Sequence, residues 1–249
     1  MLMPKLKKYQ KKFSHSYAFG IYPTLDLLKN RKEDVLKVLL QEGSVKSKGV
    51  GEIVEICKKE GIHYEVNDRL IEKLAIKENT YVVGVFKKYT MELEKEENHI
   101  VLVEPRNMGN VGTIIRTMLG FGYRNLAMIG PAVDIFDPMV IRSTMGALFK
   151  INFEYFQSWE EYAEKYPNRN NYSFLLKGAK EIRDVEFKEP LSLIFGNEGK
   201  GLPERFKNIG QSIYISHSKD IDSLNLSIAA GIGMWESVRK RSNSSNLLS

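Results

Sequence analysis

Apolar positions change their period repeatedly along this chain, and the changes predict strands that alternate with helices. Short, continuous apolar runs such as residues 100–103 are typical of strands buried on both faces of a parallel sheet. Apolar residues at helical spacing, as in residues 50–60, predict amphipathic helices. The predicted strands are residues 35–40, 62–66, 81–86, 100–103, 126–129, 153–156, 174–176, 191–195 and 213–215. The predicted helices are residues 24–31, 50–60, 67–76, 111–121, 138–149 and 224–239.

This alternation predicts an α/β protein with a mostly parallel sheet that helices cover on both faces. A stretch rich in Glu and Lys, residues 91–98, is typical of a solvated linker and divides the chain. We therefore expect five segments. They are a basic N-terminal arm (1–20), a small α/β domain (21–90), the linker, a larger α/β domain (99–241) and a Ser/Asn tail (242–249).

Positive charge is concentrated at one end of the chain. The net charge of the 249 residues is +6, whereas residues 1–48 alone carry +7, from eleven basic and four acidic side chains. A basic end indicates an anionic polymer as partner, most commonly nucleic acid, although a solubilising arm explains the charge equally well. The candidate nucleic-acid-binding residues are Lys5, Lys7, Lys8, Lys11, Lys12 and Arg31.

Cysteine and histidine usage limits the chemistry that we expect. Cys57 is the only cysteine, so no internal disulfide can form, and a cytoplasmic location is expected. Cys57 lies in an apolar pattern and is interpreted as a small core residue. No apolar run has the length of a membrane span, and the N-terminus lacks the apolar segment of a signal peptide. The four histidines lack metal-ligand spacing, so no metal is expected.

The first candidate site segment is Asn107-Met-Gly-Asn-Val-Gly-Thr-Ile-Ile-Arg116, which follows a predicted strand. A glycine-containing turn from a strand into a helix presents backbone N–H groups to an anion. The segment matches neither the dinucleotide fingerprint nor the Walker A pattern, which counts against a small-molecule enzyme with a nucleotide cofactor. A capping turn followed by a surface arginine is the alternative from these residues alone.

Two further segments follow predicted strands. Gly196-Asn-Glu-Gly-Lys-Gly-Leu202 contains three glycines, which permit the close approach of a ligand at the carboxyl end of a strand. A flexible loop with an exposed Glu198 is the alternative. Ser223-Leu-Asn-Leu-Ser227 precedes the last predicted helix. Ser223 or Asn225 can cap that helix, but the segment is more polar than one cap requires.

In this order, the three segments resemble the motifs of the SpoU/TrmH family of RNA 2′-O-ribose methyltransferases, over about residues 99–241. The resemblance implies a C-terminal trefoil-knotted α/β domain, S-adenosylmethionine as methyl donor, no metal, and a homodimer. It implies methyl transfer to a ribose 2′-hydroxyl of ribosomal or transfer RNA, with ribosomal RNA favoured. The residues implied for catalysis are Asn107, Arg116, Glu198, Ser223 and Asn225. The residues implied for donor binding are Leu176, Gly196, Ile215 and Leu224.

The small N-terminal domain is similar to the ribosomal-protein-like RNA recognition domain attached to many SpoU-type enzymes. This similarity rests on Asn30-Arg31 and on the order of the elements that follow. One segment departs from the family, which often has Pro and Met after the isoleucine. Here the chain reads Ser216-His-Ser218, so His217 has no assigned role.

The resemblance also implies how the side chains act. Arg116 is expected to bind a phosphate and to stabilise the developing alkoxide rather than to act as a base, because a guanidinium keeps its proton at physiological pH. Ser223 and Asn225 can orient the ribose or the donor, and Glu198 can anchor its loop or Arg116. A non-catalytic RNA-binding ribosome-assembly factor with the same fold is the alternative function, and the presence of Arg116 and Asn225 argues against it.

Overall fold

The computed structural model describes residues 6–44, 47–75, 80–177 and 180–242, so Lys5 and residues 243–249 of the predicted tail lie outside the described residues. The chain forms two compact units. Unit 1 comprises Met1–Tyr89 with Asp134–Lys150, and unit 2 comprises Thr90–Val133 with Ile151–Ser249. Within the described residues, no helix is long and apolar enough to cross a membrane.

Strands and helices alternate along the chain. The strands are β1 (His15–Phe19), β2 (Val35–Leu40), β3 (Tyr64–Val66), β4 (Val82–Lys87), β5 (His99–Val103), β6 (Asn125–Ile129), β7 (Asn152–Phe156), β8 (Asn170–Phe174), β9 (Lys180–Glu181), β10 (Leu191–Phe195) and β11 (Gln211–Tyr214). The helices are α1 (Ile21–Asn30), α2 (Lys48–Glu60), α3 (Asp68–Leu74), α4 (Met108–Gly120), α5 (Pro138–Ser143), α6 (Trp159–Lys165) and α7 (Leu226–Ser242).

Unit 1 is built on a four-stranded sheet in the order β1-β4-β2-β3. Strand β4 is antiparallel to β1 and β2, whereas β2 and β3 are parallel. Alternate residues of β2 face opposite sides, so Leu39 packs with α3 and Val38 packs with α1 and α2. Cys57 is fully buried on the α2 side, as predicted for a core residue.

Residues 15–19, which we expected in the basic arm, form the buried strand β1. Its polar residues are satisfied inside unit 1. The Ser16 hydroxyl donates to the carbonyl of Phe136 (2.5 Å), and His15 Nε2 lies 3.1 Å from the hydroxyl of Tyr17. Because both faces of β1 are buried, the strand lacks the alternation of apolar and polar residues that would have predicted it.

The predicted helix at residues 138–149 is wrong beyond Ser143, where α5 ends. Met145 (φ 53°) and Gly146 (φ 94°) turn the chain, and a short 3-10 turn follows at residues 147–150. The segment belongs to unit 1 rather than to the larger predicted domain. Lys150 pairs with Asp26 of α1 at 2.6 Å, which ties the end of the segment to unit 1.

Unit 2 is built on a seven-stranded sheet in the order β7-β6-β5-β10-β8-β11-β9. All of its pairings are parallel, so the carboxyl ends of its strands meet at one edge. Helix α6 covers one face through Trp159 and Tyr162. Helices α4 and α7 pack on the other face, where Gly233 lies against the rings of Phe174 and Phe195. This confirms the predicted α/β class with helices on both faces.

Two elements of unit 2 differ from the prediction. Helix α6 was not predicted, because its sequence is mostly charged apart from its buried aromatic residues. The strand predicted at 174–176 is β8, which ends at Phe174 and begins with the polar pair Asn170-Asn171. Asn170 N–H donates to the carbonyl of Pro190 (2.9 Å), so the polar start of β8 is hydrogen-bonded to the residue that precedes β10.

A buried polar network fixes the segment that we predicted as a linker. Arg169 donates to the carbonyl of Lys95 (2.6 Å) and to the hydroxyl of Ser192 (2.9 Å). The Ser192 hydroxyl contacts that of Tyr162 (2.7 Å), which lies 2.9 Å from His99 Nδ1. His99 Nε2 lies 2.9 Å from the carbonyl of Glu94. Burial, assisted by the positive charge of Arg169, lowers the pKa of His99 to about 3.

The neutral state of His99 predicts a loss of stability in mild acid. An unfolded histidine binds a proton below about pH 6.5. His99 in the folded chain remains neutral down to about pH 3, so the free energy of unfolding should fall as the pH is lowered through that window. In denaturant titrations, the free energy of unfolding should fall between pH 7.5 and pH 5 in both proteins. The fall should be about 2 kcal/mol smaller in His99→Gln than in the wild type. His63→Gln, a control whose side chain is 58% exposed, should behave as the wild type. Equal slopes for all three proteins would contradict this assignment.

Candidate functional site

The candidate site is a cavity of about 340 Å³ at the carboxyl edge of the unit 2 sheet. This is the edge at which open parallel sheets bind ligands. The segments that follow three strands, together with the start of α7, form most of its wall. They are residues 175–177 after β8, 196–202 after β10, 215 and 217 after β11, and 223–224 with the first turn of α7.

The loop after β10 is a tight, internally bonded turn rather than a flexible loop. Asn197 Oδ1 accepts hydrogen bonds from the N–H groups of Gly199 and Lys200 (3.0 Å each). Asn197 Nδ2 donates to the carbonyl of Glu104 (2.8 Å), which joins the loop to the end of β5. A Cβ on Gly196 would lie 2.2 Å from backbone atoms of Gly201 and Leu202, so only glycine fits this close approach.

Glu198 fastens this loop to the start of α4. Its Oε1 accepts a hydrogen bond from Asn107 N–H (2.9 Å), and its Oε2 accepts one from Arg106 N–H (3.1 Å). Burial raises the pKa of Glu198, but these N–H groups together with the Asn110 amide outweigh it, so the net shift is downward. The carboxylate is therefore ionised at neutral pH and anchors its loop, as one of the two predicted roles requires; it is not bonded to Arg116.

Asn110 connects the three motifs, because its side chain contacts both Glu198 and Asn225. The side chain of Asn107 caps α4 by accepting from Asn110 N–H (3.0 Å), so this predicted residue meets Glu198 through its backbone only. Asn110 Nδ2 reaches Glu198 Oε1 (3.4 Å), and Asn110 Oδ1 accepts from Asn225 Nδ2 (3.2 Å). Sequence reasoning missed Asn110, although it stands one turn into the helix behind the cap.

Asn225 lies at the other end of this contact, immediately before the first residue of α7. Its Oδ1 accepts hydrogen bonds from both the N–H (2.9 Å) and the hydroxyl (2.7 Å) of Ser227. Asn225 therefore caps α7 with its side-chain oxygen and contacts Asn110 with its side-chain nitrogen, so the segment does more than cap the helix. Glu198, Asn110 and Asn225 form one hydrogen-bonded row across the three motifs.

The four residues predicted for donor binding lie in the cavity wall, together with Ser223 and His217. These four are Leu176, Gly196, Ile215 and Leu224. The rings of Phe174 and Phe195 stack at 4.4 Å in the same wall, so one part of the cavity is apolar and aromatic. His217 Nδ1 lies 2.8 Å from the carbonyl of Ile215, which fixes Nδ1 as the donor. The cavity suits a ligand that combines a flat apolar ring with polar groups.

Arg116 is the predicted residue that the structure does not bring to the others. It is exposed on α4, on the side away from the buried Val111, Ile115 and Met118. It does not line the cavity, and its guanidinium has no hydrogen bond or ion pair with any residue that the structure describes. Across the described ranges, no group of three or more His, Cys, Asp or Glu residues could hold a metal ion.

A match to a family model identifies the class of protein that this fold and site define. Residues 97–235 match the SpoU rRNA Methylase family. Because this match covers more than half of the chain, the chain belongs to that family.

Individual relatives agree with this class. The chain is 29% identical over 150 residues to a 23S rRNA (uridine(2479)-2′-O)-methyltransferase of Streptomyces viridochromogenes, a match that covers 57% of this chain and about half (52%) of the relative. It is 31% identical over 151 residues to a putative tRNA (cytidine(34)-2′-O)-methyltransferase of Listeria monocytogenes, covering 58% of this chain and 88% of that relative. The AdoMet-bound rRNA methyltransferase from Sinorhizobium meliloti superposes with a TM-score of 0.78 at 26% identity, covering 95% of this chain and 89% of that one.

The close approach at Gly196 predicts a large difference between two glycine substitutions. Gly196→Ala should lower the free energy of unfolding by about 1–3 kcal/mol, because its methyl group overlaps the backbone of the loop. Gly199→Ala places its methyl group 3.6 Å from Asn197 Oδ1, an ordinary contact, and should change stability by less than about 0.5 kcal/mol. Urea denaturation of both variants checks this. Equal stabilities would mean that the loop is not closed as described.

Proposed function

We propose that this chain is an S-adenosylmethionine-dependent RNA methyltransferase that methylates a ribose 2′-hydroxyl of ribosomal or transfer RNA, with ribosomal RNA favoured. One observation carries the proposal. In a chain of the SpoU family, an aromatic cavity large enough for a nucleoside lies beside the row formed by Glu198, Asn110 and Asn225. The names of the Streptomyces and Listeria relatives support a 2′-hydroxyl as acceptor and leave both RNA classes as substrates.

The cavity fits the proposed methyl donor. Its apolar wall, which includes Ile215 and Leu224, suits the adenine ring, and Gly196 lies in the same wall. Lys177 and Lys200, whose side chains have no ion pair with described residues, offer positive charge to the donor's carboxylate. When bound, the donor supplies a methyl group already activated by its sulfonium.

The protein's own groups then chiefly orient the reacting atoms, which supplies up to about 7–11 kcal/mol for very good alignment. Asn225 is held by Asn110 and Ser227, so its position is fixed before the substrate arrives. Ser223 lies in the cavity wall, where its hydroxyl can orient the ribose or the donor. Arg116 holds an RNA phosphate, which accepts the proton of the 2′-hydroxyl, and stabilises the alkoxide that develops as this proton leaves.

We also propose a homodimer, because Arg116 lies on the exposed side of α4 and does not line the cavity of its own chain. A second copy would bring Arg116 to the neighbouring cavity. Helix α7 offers an apolar stripe for this contact: Ile228 and Trp235, seven residues apart on one face, are 54% and 50% exposed. The partner would cover side chains that otherwise remain in water.

Two further expectations belong to this proposal. The trefoil knot is supported by the convergence of the segments after β10 and β11 on the start of α7, around one cavity. A cytoplasmic location is supported by Cys57, a buried free thiol that is compatible with a reducing compartment.

The first test is transfer of labelled methyl from S-adenosylmethionine to RNA from a strain that lacks the gene. Alkali-resistant label at one linkage is expected with the wild type, and about 100-fold less with Arg116→Ala. Donor binding and unfolding should be unchanged in that variant, because Arg116 lies outside the cavity. Arg69→Ala, which removes another exposed arginine, should retain full transfer. Specific RNA binding without any label, on naked RNA or on ribosomal particles, would favour the assembly-factor alternative instead.

The second test concerns the dimer. Ile228→Glu combined with Trp235→Glu should convert the protein to a monomer in sedimentation equilibrium, because the substitutions place charge in the proposed interface. The same variant should lose methyl transfer while it still binds the donor. Val66→Glu, at an apolar position that is 52% exposed in unit 1, should remain dimeric. A monomeric wild type with full activity would refute the shared site.

A further inference from the structure

The basic N-terminal segment is a fixed part of unit 1 over residues 6–13, which we name the docked arm. Leu6 is 8% exposed and packs in the core cluster that contains Leu39 and Val85. The hydroxyl of Tyr17 donates to the carbonyl of Lys7 (2.7 Å) and accepts from its N–H (3.3 Å). One end of the arm is therefore held by both apolar and backbone contacts.

Lys88 holds the other end of the docked arm. Its Nζ donates to the carbonyl of Lys11 (2.8 Å) and pairs with Asp134 (3.2 Å). It also lies 4.8 Å from the centre of the Tyr9 ring, and the Tyr9 hydroxyl donates to Asp134. Because Asp134 offsets the charge of Lys88, this anchor adds little net charge to the surface.

The positive charge of the docked arm comes from side chains that point outward. Lys7, Lys8, Lys11 and Lys12 are exposed, and none forms a side-chain hydrogen bond or ion pair with described residues. The sequence contains no acidic residue before Asp26. Four like charges within six residues lie within about a Debye length of one another and repel, so they favour a polyanion that neutralises them together.

We infer that the docked arm is a preformed surface for the phosphate backbone of the RNA substrate. The identification of the polyanion as RNA rests on the proposed function. The anchors at Leu6, Tyr17 and Lys88 fix the backbone before binding, so the RNA does not have to order a loose tail. The arm contributes to RNA affinity and takes no part in methyl transfer.

The experiment measures binding of a labelled single-stranded oligoribonucleotide at several salt concentrations, without methyl donor. In a variant with Lys7, Lys8, Lys11 and Lys12 all changed to Gln, binding at 0.1 M salt should weaken at least about tenfold. The slope of log affinity against log salt should become shallower by about 3, since each phosphate contact on a single strand contributes about 0.7. A control with Lys58, Lys59, Lys73 and Lys188 changed to Gln removes the same charge from other exposed positions and should keep the wild-type slope.

A second variant separates docking from charge. Leu6→Ala with Tyr9→Ala removes the Leu6 anchor and the ring that contacts Lys88, but no formal charge, so RNA affinity should fall while the salt slope stays near the wild-type value. Thermal unfolding monitors whether unit 1 remains folded in each variant. An unchanged slope in the arm variant, or an equal change in the lysine control, would overturn the proposal, as would tighter binding of polyglutamate than of the oligoribonucleotide. Binding that follows these expectations in a protein without methyl transfer would leave the arm's role intact and refute the proposed function instead.

Discussion

The arrangement of the site depends on the carboxylate of Glu198. It accepts hydrogen bonds from the N–H groups of Arg106 and Asn107 at the start of α4, where the helix dipole also favours negative charge. Its own loop is closed by the side chain of Asn197, so the contact joins two rigid pieces. Asn110 then extends the connection to Asn225 at the start of α7. A single ionised group thus fixes the first turns of two helices beside one cavity.

Most of the sheet in unit 2 could be predicted, because strands buried on both faces read as continuous apolar runs, as β5 and β10 do. The parts that escaped prediction depend on partners far along the chain. Strand β1 contains His15 and Ser16, whose burial makes sense only once the Tyr17 hydroxyl and the Phe136 carbonyl are in place. The end of α5 is set by Met145 at φ 53°, a conformation that no local preference of methionine would indicate.

Some features of the candidate site could also be predicted from the sequence, and others could not. The glycine turn at 196–202 and the polar start of α7 could be placed from the sequence, because the chemistry of both lies in consecutive residues. The different roles of Asn107 and Asn110 could not be predicted from the sequence, since they depend on which side-chain amide faces Glu198 after the helix forms. Asn107 uses its side chain to cap α4, and this leaves Asn110 to bridge the motifs. Arg116 lies on the exposed side of the same helix, where its guanidinium has no hydrogen bond or ion pair with a described residue.

Unit 1 is discontinuous in sequence, and this affects how the chain is made. The chain leaves unit 1 after Tyr89 and returns to it between Asp134 and Lys150. During synthesis from the N-terminus, the first 89 residues emerge without Asp134 to pair with Lys88 and without Phe149 to cover the ring of Phe86. The small domain therefore cannot reach its final packing until the ribosome has added about sixty more residues, by which time β5, α4 and β6 have also emerged. Unit 1 can therefore complete its packing only after the first part of unit 2 has been made, while the segment from β7 to α7 that completes unit 2 still has to follow.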